Sequence, residues 1–226
     1  VEVLLYTALF GNWDQWFDYG LYFKNYEYHV SSDKHLDPFE KWYVHTYVGD
    51  FSDHNDATRM ARKVKLQPHV SYDLEDFDYC IWMDARISLK KDPIKLIKQL
   101  GDKFDIGMFR HNVRDCLYTE ALELSRIKLD DPDIIKEQIE SYRRLNIPEH
   151  FGLWATGFII FKPSKLTKLF FNTWSKEVEL YSRRDQLAIT YALIKSGIRL
   201  RSFGDKNTKY VGPLWSETFN MRNHNV

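Results

Sequence analysis

Cysteine is nearly absent: Cys80 and Cys116 are the two in 226 residues. Two cysteines at unrelated spacing exclude a disulfide framework and a thiolate zinc site. They make a reducing, cytoplasmic compartment the expectation (the host's, for a viral chain). Glycine is sparse as well, ten residues scattered singly. The Gly-x-Gly-x-x-Gly fingerprint and the P-loop are therefore missing, so neither a dinucleotide cradle nor an ATP cradle of those kinds is indicated. There is no Gly-x-Ser-x-Gly elbow and no His-Glu-x-x-His metal helix. No apolar run approaches the about eighteen residues of a membrane span, and the opening residues are expected to be a strand and not a signal-type leader. Charge of either sign is balanced, thirty-two basic residues against thirty-two acidic. Without a basic stripe, nucleic acid is not expected as a partner.

Aromatic residues are in surplus, with fifteen Phe, fourteen Tyr and seven Trp. They suit either a thick core or a groove on which sugar rings or bases stack. The stretch around which the chain is organised is Tyr79-Cys80-Ile81-Trp82-Met83-Asp84-Ala85-Arg86, an apolar run ending in a carboxylate. Such a run reads as a strand buried on both faces. An acid at the carboxyl end of a central strand points into the crevice where open α/β sheets bind ligands. The plainer alternative for Asp84 is a cap on the following turn.

The first residues, 1–8, read as a parallel strand broken by Phe10-Gly11-Asn12-Trp13-Asp14, and residues 41–48 as a second strand. Asp53 to Asp56 offer caps for a helix over 57–66 that Pro68 stops, with Arg59, Arg62 and Lys63 on one face. Asp92-Pro93 and Asp131-Pro132 start further helices. Residues 105–109 form a short strand that runs into the polar cluster His111-Asn112-Val113-Arg114-Asp115. Residues 151–161 form a strong strand in which Gly157 marks a close approach of ligand or backbone. Ser164 caps a long helix to Tyr181 with Leu166, Leu169, Phe170, Trp174 and Val178 inward. Ser182-Arg183-Arg184-Asp185-Gln186 opens another that Gly197 ends, and Trp215 and Phe219 fold the tail back. Strands alternating with capped helices predict an α/β fold: one domain over 1–226, a mostly parallel central sheet flanked by helices.

The order of these segments resembles the nucleotide-sugar glycosyltransferases of the GT-A fold. More narrowly, it resembles the family that includes plant mucilage- and turgor-related transferases and a chlorella-virus capsid glycosyltransferase domain. The resemblance runs from Tyr6-Thr7-Ala8-Leu9-Phe10-Gly11-Asn12-Trp13-Asp14 through Ala61-Arg62-Lys63 and Ile81-Trp82-Met83-Asp84-Ala85. It continues through the segment from His111 to Ala121 and ends in Ser182-Arg183-Arg184-Asp185-Gln186-Leu187. It implies transfer of a sugar from a nucleoside-diphosphate donor, UDP-linked, to a hydroxyl of a glycan or glycoprotein, with retention at the anomeric carbon. Donor binding then falls to Thr7, Phe10, Asn12, Arg59, Arg62, Asp84, Arg86, Thr156 and Gly157. Catalysis falls to Asp185 and Gln186, and acceptor or donor recognition to His111, Arg114 and Glu120. Asp185 as a base for the acceptor hydroxyl would instead mean inversion, and as a helix cap it would be structural only.

One departure matters. The Asp-x-Asp triplet that holds a divalent cation in GT-A enzymes is here Asp84-Ala85-Arg86. Either Asp84 alone holds manganese or magnesium with phosphate oxygens and water, or Arg86 and the Arg59/Arg62 face supply the positive charge. His224 is a further candidate ligand. Two other classes compete with a transferase. A sugar nucleotidyltransferase needs a glycine-rich phosphate loop that is lacking, and carbohydrate-binding modules are all-β.

Overall fold

The computed structural model of the protein describes residues 1–16, 21–37, 41–101, 103–203 and 212–222. The elements in chain order are β1 (Val3–Leu9), β2 (Tyr26–Ser32), β3 (Trp42–Thr46), α1 (His54–Leu66), α2 (Pro68–Ser71), β4 (Tyr79–Met83), β5 (Ile87–Leu89), α3 (Ile94–Leu100) and β6 (Ile106–Arg110). They continue with α4 (Leu117–Arg126), α5 (Pro132–Arg144), β7 (Trp154–Phe161), α6 (Lys165–Leu180), α7 (Asp185–Ser196), β8 (Leu200–Ser202), α8 (Pro213–Thr218) and β9 (Phe219–Met221).

Seven strands form one sheet in the order β3-β2-β1-β4-β7-β6-β8. β7 runs antiparallel to both of its neighbours, and every other pair in the sheet is parallel. The α/β class and the mostly parallel, helix-flanked sheet are as the sequence predicts. β1 and β7 are buried along their whole length, which is why both read as unbroken apolar runs. On β4, Ile81 and Met83 pack to one side with Leu5, Phe158 and Trp215. Cys80 and Trp82 pack to the other with Tyr6, Phe170 and Trp174. Both cysteines are buried free thiols.

Helix starts follow their caps. The Asp53 carboxylate accepts from the N–H groups of Asn55 at 2.8 Å and Asp56 at 3.1 Å. Ser164 and Thr167 close a reciprocal capping box at the start of α6. Gly197 ends α7 in the left-handed region at φ 65°. Among the described helices none is long and apolar enough to cross a membrane.

Several expectations are corrected. A strand absent from the sequence reading, β2, lies between β1 and β3, and the strand expected over 41–48 is the shorter β3. The segment after Cys116 is a helix, α4, and a two-stranded sheet pairs β5 with β9. Leu169 is 51% exposed, and Phe171 takes the inward position instead. Gly157 does mark a close backbone approach, its carbonyl accepting from the Asp84 N–H, and it does so within a bulge. The pairing of β6 with β7 shifts from Met108↔Ile159 to Phe109↔Ala155, so Thr156, Gly157 and Phe158 are the surplus residues of a bulge.

Candidate active site

The bulge brings the backbone of β7 to the end of β4. The Asp84 N–H donates to the Gly157 carbonyl at 2.8 Å, and the Asp84 carbonyl accepts from Ile87 N–H at 2.9 Å, turning the chain. Asp84 is thus fastened by its main chain, and its carboxylate is left to the crevice. One oxygen, Oδ1, accepts from the Trp82 indole N–H at 2.8 Å.

Two adjoining cavities share Asp84 and Arg86. The first, about 120 Å³, is lined by Phe10, Trp13, His54, Arg62 and Trp82 among others. The second, about 330 Å³, is lined by His111, Asn112, Thr156, Gly157, Arg184 and Gln186. Larger hollows of about 620 and 560 Å³ lie away from these strand ends. Size does not decide here; charge and topology do, because the shared pair sits at the carboxyl end of β4.

The first cavity has an aromatic wall. Trp13 stands edge-on to His54 with ring centres 4.4 Å apart, and the turn that presents it depends on Gly11. Gly11 has φ +68°, and a Cβ there would lie 2.8 Å from both the Phe51 carbonyl oxygen and Trp13 Nε1. Its N–H donates to Asp33 Oδ1 at 3.1 Å. We expect Gly11→Ala to destabilise the fold by about 1–3 kcal/mol from the strained φ alone. The displaced Trp13 should also disturb the aromatic wall. Thermal unfolding and tryptophan fluorescence check this; an unchanged variant in both would refute the role of the turn.

Behind the crevice lies a buried charge cluster. Asp185 Oδ2 is 2.5 Å from Lys65 Nζ and 3.4 Å from Arg62 Nε. Desolvation pushes the Asp185 carboxyl up, but Arg62 and then Lys65 outweigh it and hold its pKa well below the usual range. Burial lowers the Lys65 ammonium while Asp185 pulls it back up. We take the pair as ionised, because two cations face one acid within 4 Å. Burial and the adjacent Arg62 also lower Arg184. The Nε atoms of Arg62, Arg86 and Arg184 are buried without a hydrogen-bond partner. Three arginines, Arg62 in the first cavity, Arg184 in the second and Arg86 in both, therefore line a crevice that holds one carboxylate, Asp84, a setting that favours a polyanion.

The structure brings Phe10, Arg62, Asp84, Arg86, His111, Thr156, Gly157 and Gln186 to these cavities. Others are placed elsewhere. Arg59 donates to the carbonyls of Val178 at 2.8 Å and Tyr181 at 3.2 Å, tying α1 to the end of α6. Thr7 is fully buried in β1 and Asn12 is exposed, and neither lines a cavity. Arg114 pairs with the buried Glu120, locking the loop to α4. The Asp185 carboxylate, expected to touch the reacting sugar, is closed off: the residue is 2% exposed. Its neighbour Gln186 donates to the Trp154 carbonyl at 3.2 Å at the cavity wall. His111 accepts from the N–H groups of Val113 at 3.3 Å and Arg114 at 3.0 Å through Nδ1. Among the described residues no group of three or more His, Cys, Asp or Glu stands where it could hold a metal. His224 lies outside the described residues.

The sequence profile of the TOD1/MUCI70, glycosyltransferase-like domain family matches residues 52–211, more than half of the chain. The chain belongs to that family. Membership in TOD1/MUCI70 makes the enzyme class a glycosyltransferase, and the matched span carries Asp84, Arg86, His111, the β7 bulge, Arg184 and Gln186 but neither the end of β1 nor Met221 of β9. No curated protein sequence matches the chain significantly. Among solved structures, mouse xyloside xylosyltransferase 1 is similar over 89% of this chain and 84% of its own, at 10% identity and a TM-score of 0.45. The bifunctional glycosyltransferase WbbM is similar over 89% of this chain and 38% of its own (12%, 0.49). Core-mannan synthase A of Aspergillus fumigatus, in a Mn/GDP form, is similar over 97% and 74% (11%, 0.49).

Sequence reasoning did not single out Trp13, His54, Lys65 or Arg184 in this TOD1/MUCI70 domain. Lys65 had a signal: it follows Ala57 and Ala61 at spacings of four, a lysine on the inward stripe of α1.

Proposed function

We propose that the protein transfers a sugar from a UDP-linked donor to a hydroxyl of a glycan or glycoprotein acceptor, with retention. The observation that carries this is the junction of two cavities at Asp84 and Arg86. A nucleoside suits the aromatic first cavity, and a sugar suits the polar second one. The diphosphate would lie between them at Arg86, with Arg62 on the first cavity's side and Arg184 on the second's. In the reaction, the bond from the anomeric carbon to the β-phosphate oxygen breaks and its electron pair leaves with the diphosphate. The acceptor oxygen bonds to the same carbon, and its proton passes to the departing phosphate oxygen. Fixed guanidinium groups stabilise the charge that develops on the leaving group. Gln186, on the wall of the second cavity, orients the sugar. Retention is favoured because Asp185, the base that inversion would call on, is buried and paired.

A divalent cation fits this set only in part. Asp84 offers one carboxylate, and manganese or magnesium held there would share the diphosphate oxygens and act as a Lewis acid when bound. Positive charge from the arginines serves the same anion. The test is a hydrolysis and binding screen over UDP- and GDP-sugars, with manganese and with chelator. We expect UDP-sugar turnover, severalfold or weaker stimulation by metal, and UDP binding that survives chelation. At a hundred times Kd, UDP should stabilise the fold by about 2.7 kcal/mol. Stabilisation by nucleoside triphosphates alone would instead indicate a nucleotidyltransferase, and by free glycan alone a binding module.

A further inference from the structure

Lys65 has no exposed surface, although it sits on a helix that borders the crevice. Its ammonium lies 2.5 Å from Asp185 Oδ2, beneath Trp82 at 5.6 Å and Trp174 at 6.0 Å from the ring centres. Both tryptophans are themselves tied to acids. Trp82 donates its indole N–H to the Asp84 carboxylate, and Trp174 donates to the Asp185 carbonyl at 2.8 Å. The Tyr6 hydroxyl in turn donates to the Lys65 carbonyl at 3.0 Å. A buried ion pair is a poor source of stability, since well-packed apolar residues usually do as well. Its partners in this case are unequal. The oxygen that Lys65 grips is the one that faces Arg62, and Arg62 lines the nucleotide cavity.

We propose that Lys65 is a positioning residue for transfer. It fixes the ionised Asp185 carboxylate in one place, and that carboxylate holds the Arg62 guanidinium toward the donor diphosphate. The proposal rests on the function proposed above. Lys65 touches no substrate; it acts through Asp185 on Arg62, and through Trp82 it steadies Asp84.

The experiment compares Lys65→Met with the double variant Lys65→Met/Asp185→Leu and with Arg62→Met. Thermal stability, donor turnover, and affinities for UDP and uridine are measured on each. Lys65→Met alone strands a buried carboxylate, so stability and turnover should both fall. The double variant removes both charges and should recover most of the melting temperature. Its turnover should nevertheless stay about a hundredfold low and its UDP affinity about tenfold low, as when a charge-assisted contact is lost. Uridine affinity should fall less than UDP affinity, because Trp13 and His54 keep their places in the first cavity while the diphosphate loses a positioned guanidinium. Arg62→Met, at a partly exposed position, should reproduce the UDP defect without a stability defect, and adding it to the double variant should cost nothing more. Recovery of turnover together with stability in the double variant would overturn the proposal, leaving the pair structural. So would Arg62→Met with unchanged UDP affinity. A parent protein that binds no nucleoside diphosphate, with or without manganese, would instead overturn the proposed function and this inference with it.

Discussion

Asp84→Asn is expected to keep the melting temperature and lower donor turnover by two decades or more. The side chain sits just beyond β4, and its fold-bearing contacts are main-chain: the Asp84 N–H to Gly157 and the Asp84 carbonyl to Ile87. Neither depends on the carboxylate. The amide oxygen of Asn can still accept from Trp82. What disappears is a negative charge at the junction of the two cavities, where it orders the surrounding arginines or a bound cation. A contact made only in the transition state contributes about 3 kcal/mol, which is about a hundredfold in rate. Steady-state kinetics with any accepted donor checks this, and near-parental turnover would remove Asp84 from the site.

Asp185→Asn should do the reverse of what a helix cap would do. Asn caps as well as Asp, so a cap would show almost no loss of stability. Here the substitution leaves Lys65 charged and buried without its partner, and breaking a buried pair on one side costs about 3–5 kcal/mol. Turnover should fall as well, because Arg62 loses its anchor. The pH dependence has a defined sign. The folded-state pKa of Asp185 lies below the unfolded value of about 3.9. Its stabilisation is therefore fully present above that value and is lost as pH falls through the folded pKa. The gap in melting temperature between parent and Asp185→Asn should be widest above about pH 4 and shrink in stronger acid. A constant gap across that range, or none at neutral pH, would show that the pair carries no such energy.

The strands nearest the site were legible because they are buried on both faces. β1, β4 and β7 have no polar alternation to confuse them. β2, with the sequence Tyr-Glu-Tyr-His-Val-Ser-Ser, mixes aromatic and polar residues and becomes a strand by pairing on both sides, which no local pattern reveals. α4 was hidden for a different reason: Cys116 precedes it and makes no side-chain cap, so the usual start signal is missing. In α6 the inward stripe passes through Thr167, Phe170, Phe171, Trp174 and Val178, and Leu169 falls outside it despite its hydrophobicity.

The candidate site was legible where a motif coincides with the end of an element, as at Asp84 after β4, Thr156-Gly157 near the start of β7 and Gln186 at the start of α7. It was not legible where function depends on distance in three dimensions. Trp13 and His54 belong to different elements, and only the fold sets them ring to ring. The cationic face read from Arg59, Arg62 and Lys63 divides in space. Arg59 clasps α6, Lys63 is exposed, and Arg62 turns to the crevice.

That division gives α1 an unusual mechanical standing. Arg59 bolts it to the last carbonyls of α6, and Lys65, two turns on, bolts it to the first residue of α7. Arg62 lies between the two fastenings. A pull on its guanidinium by a bound anion is shared by three helices, and this wall has little freedom to follow the ligand. The facing side is built differently: His111, Asn112 and the bulged start of β7 line the second cavity there. The α1 side of the crevice therefore behaves as an anvil, against which a ligand is held and not followed.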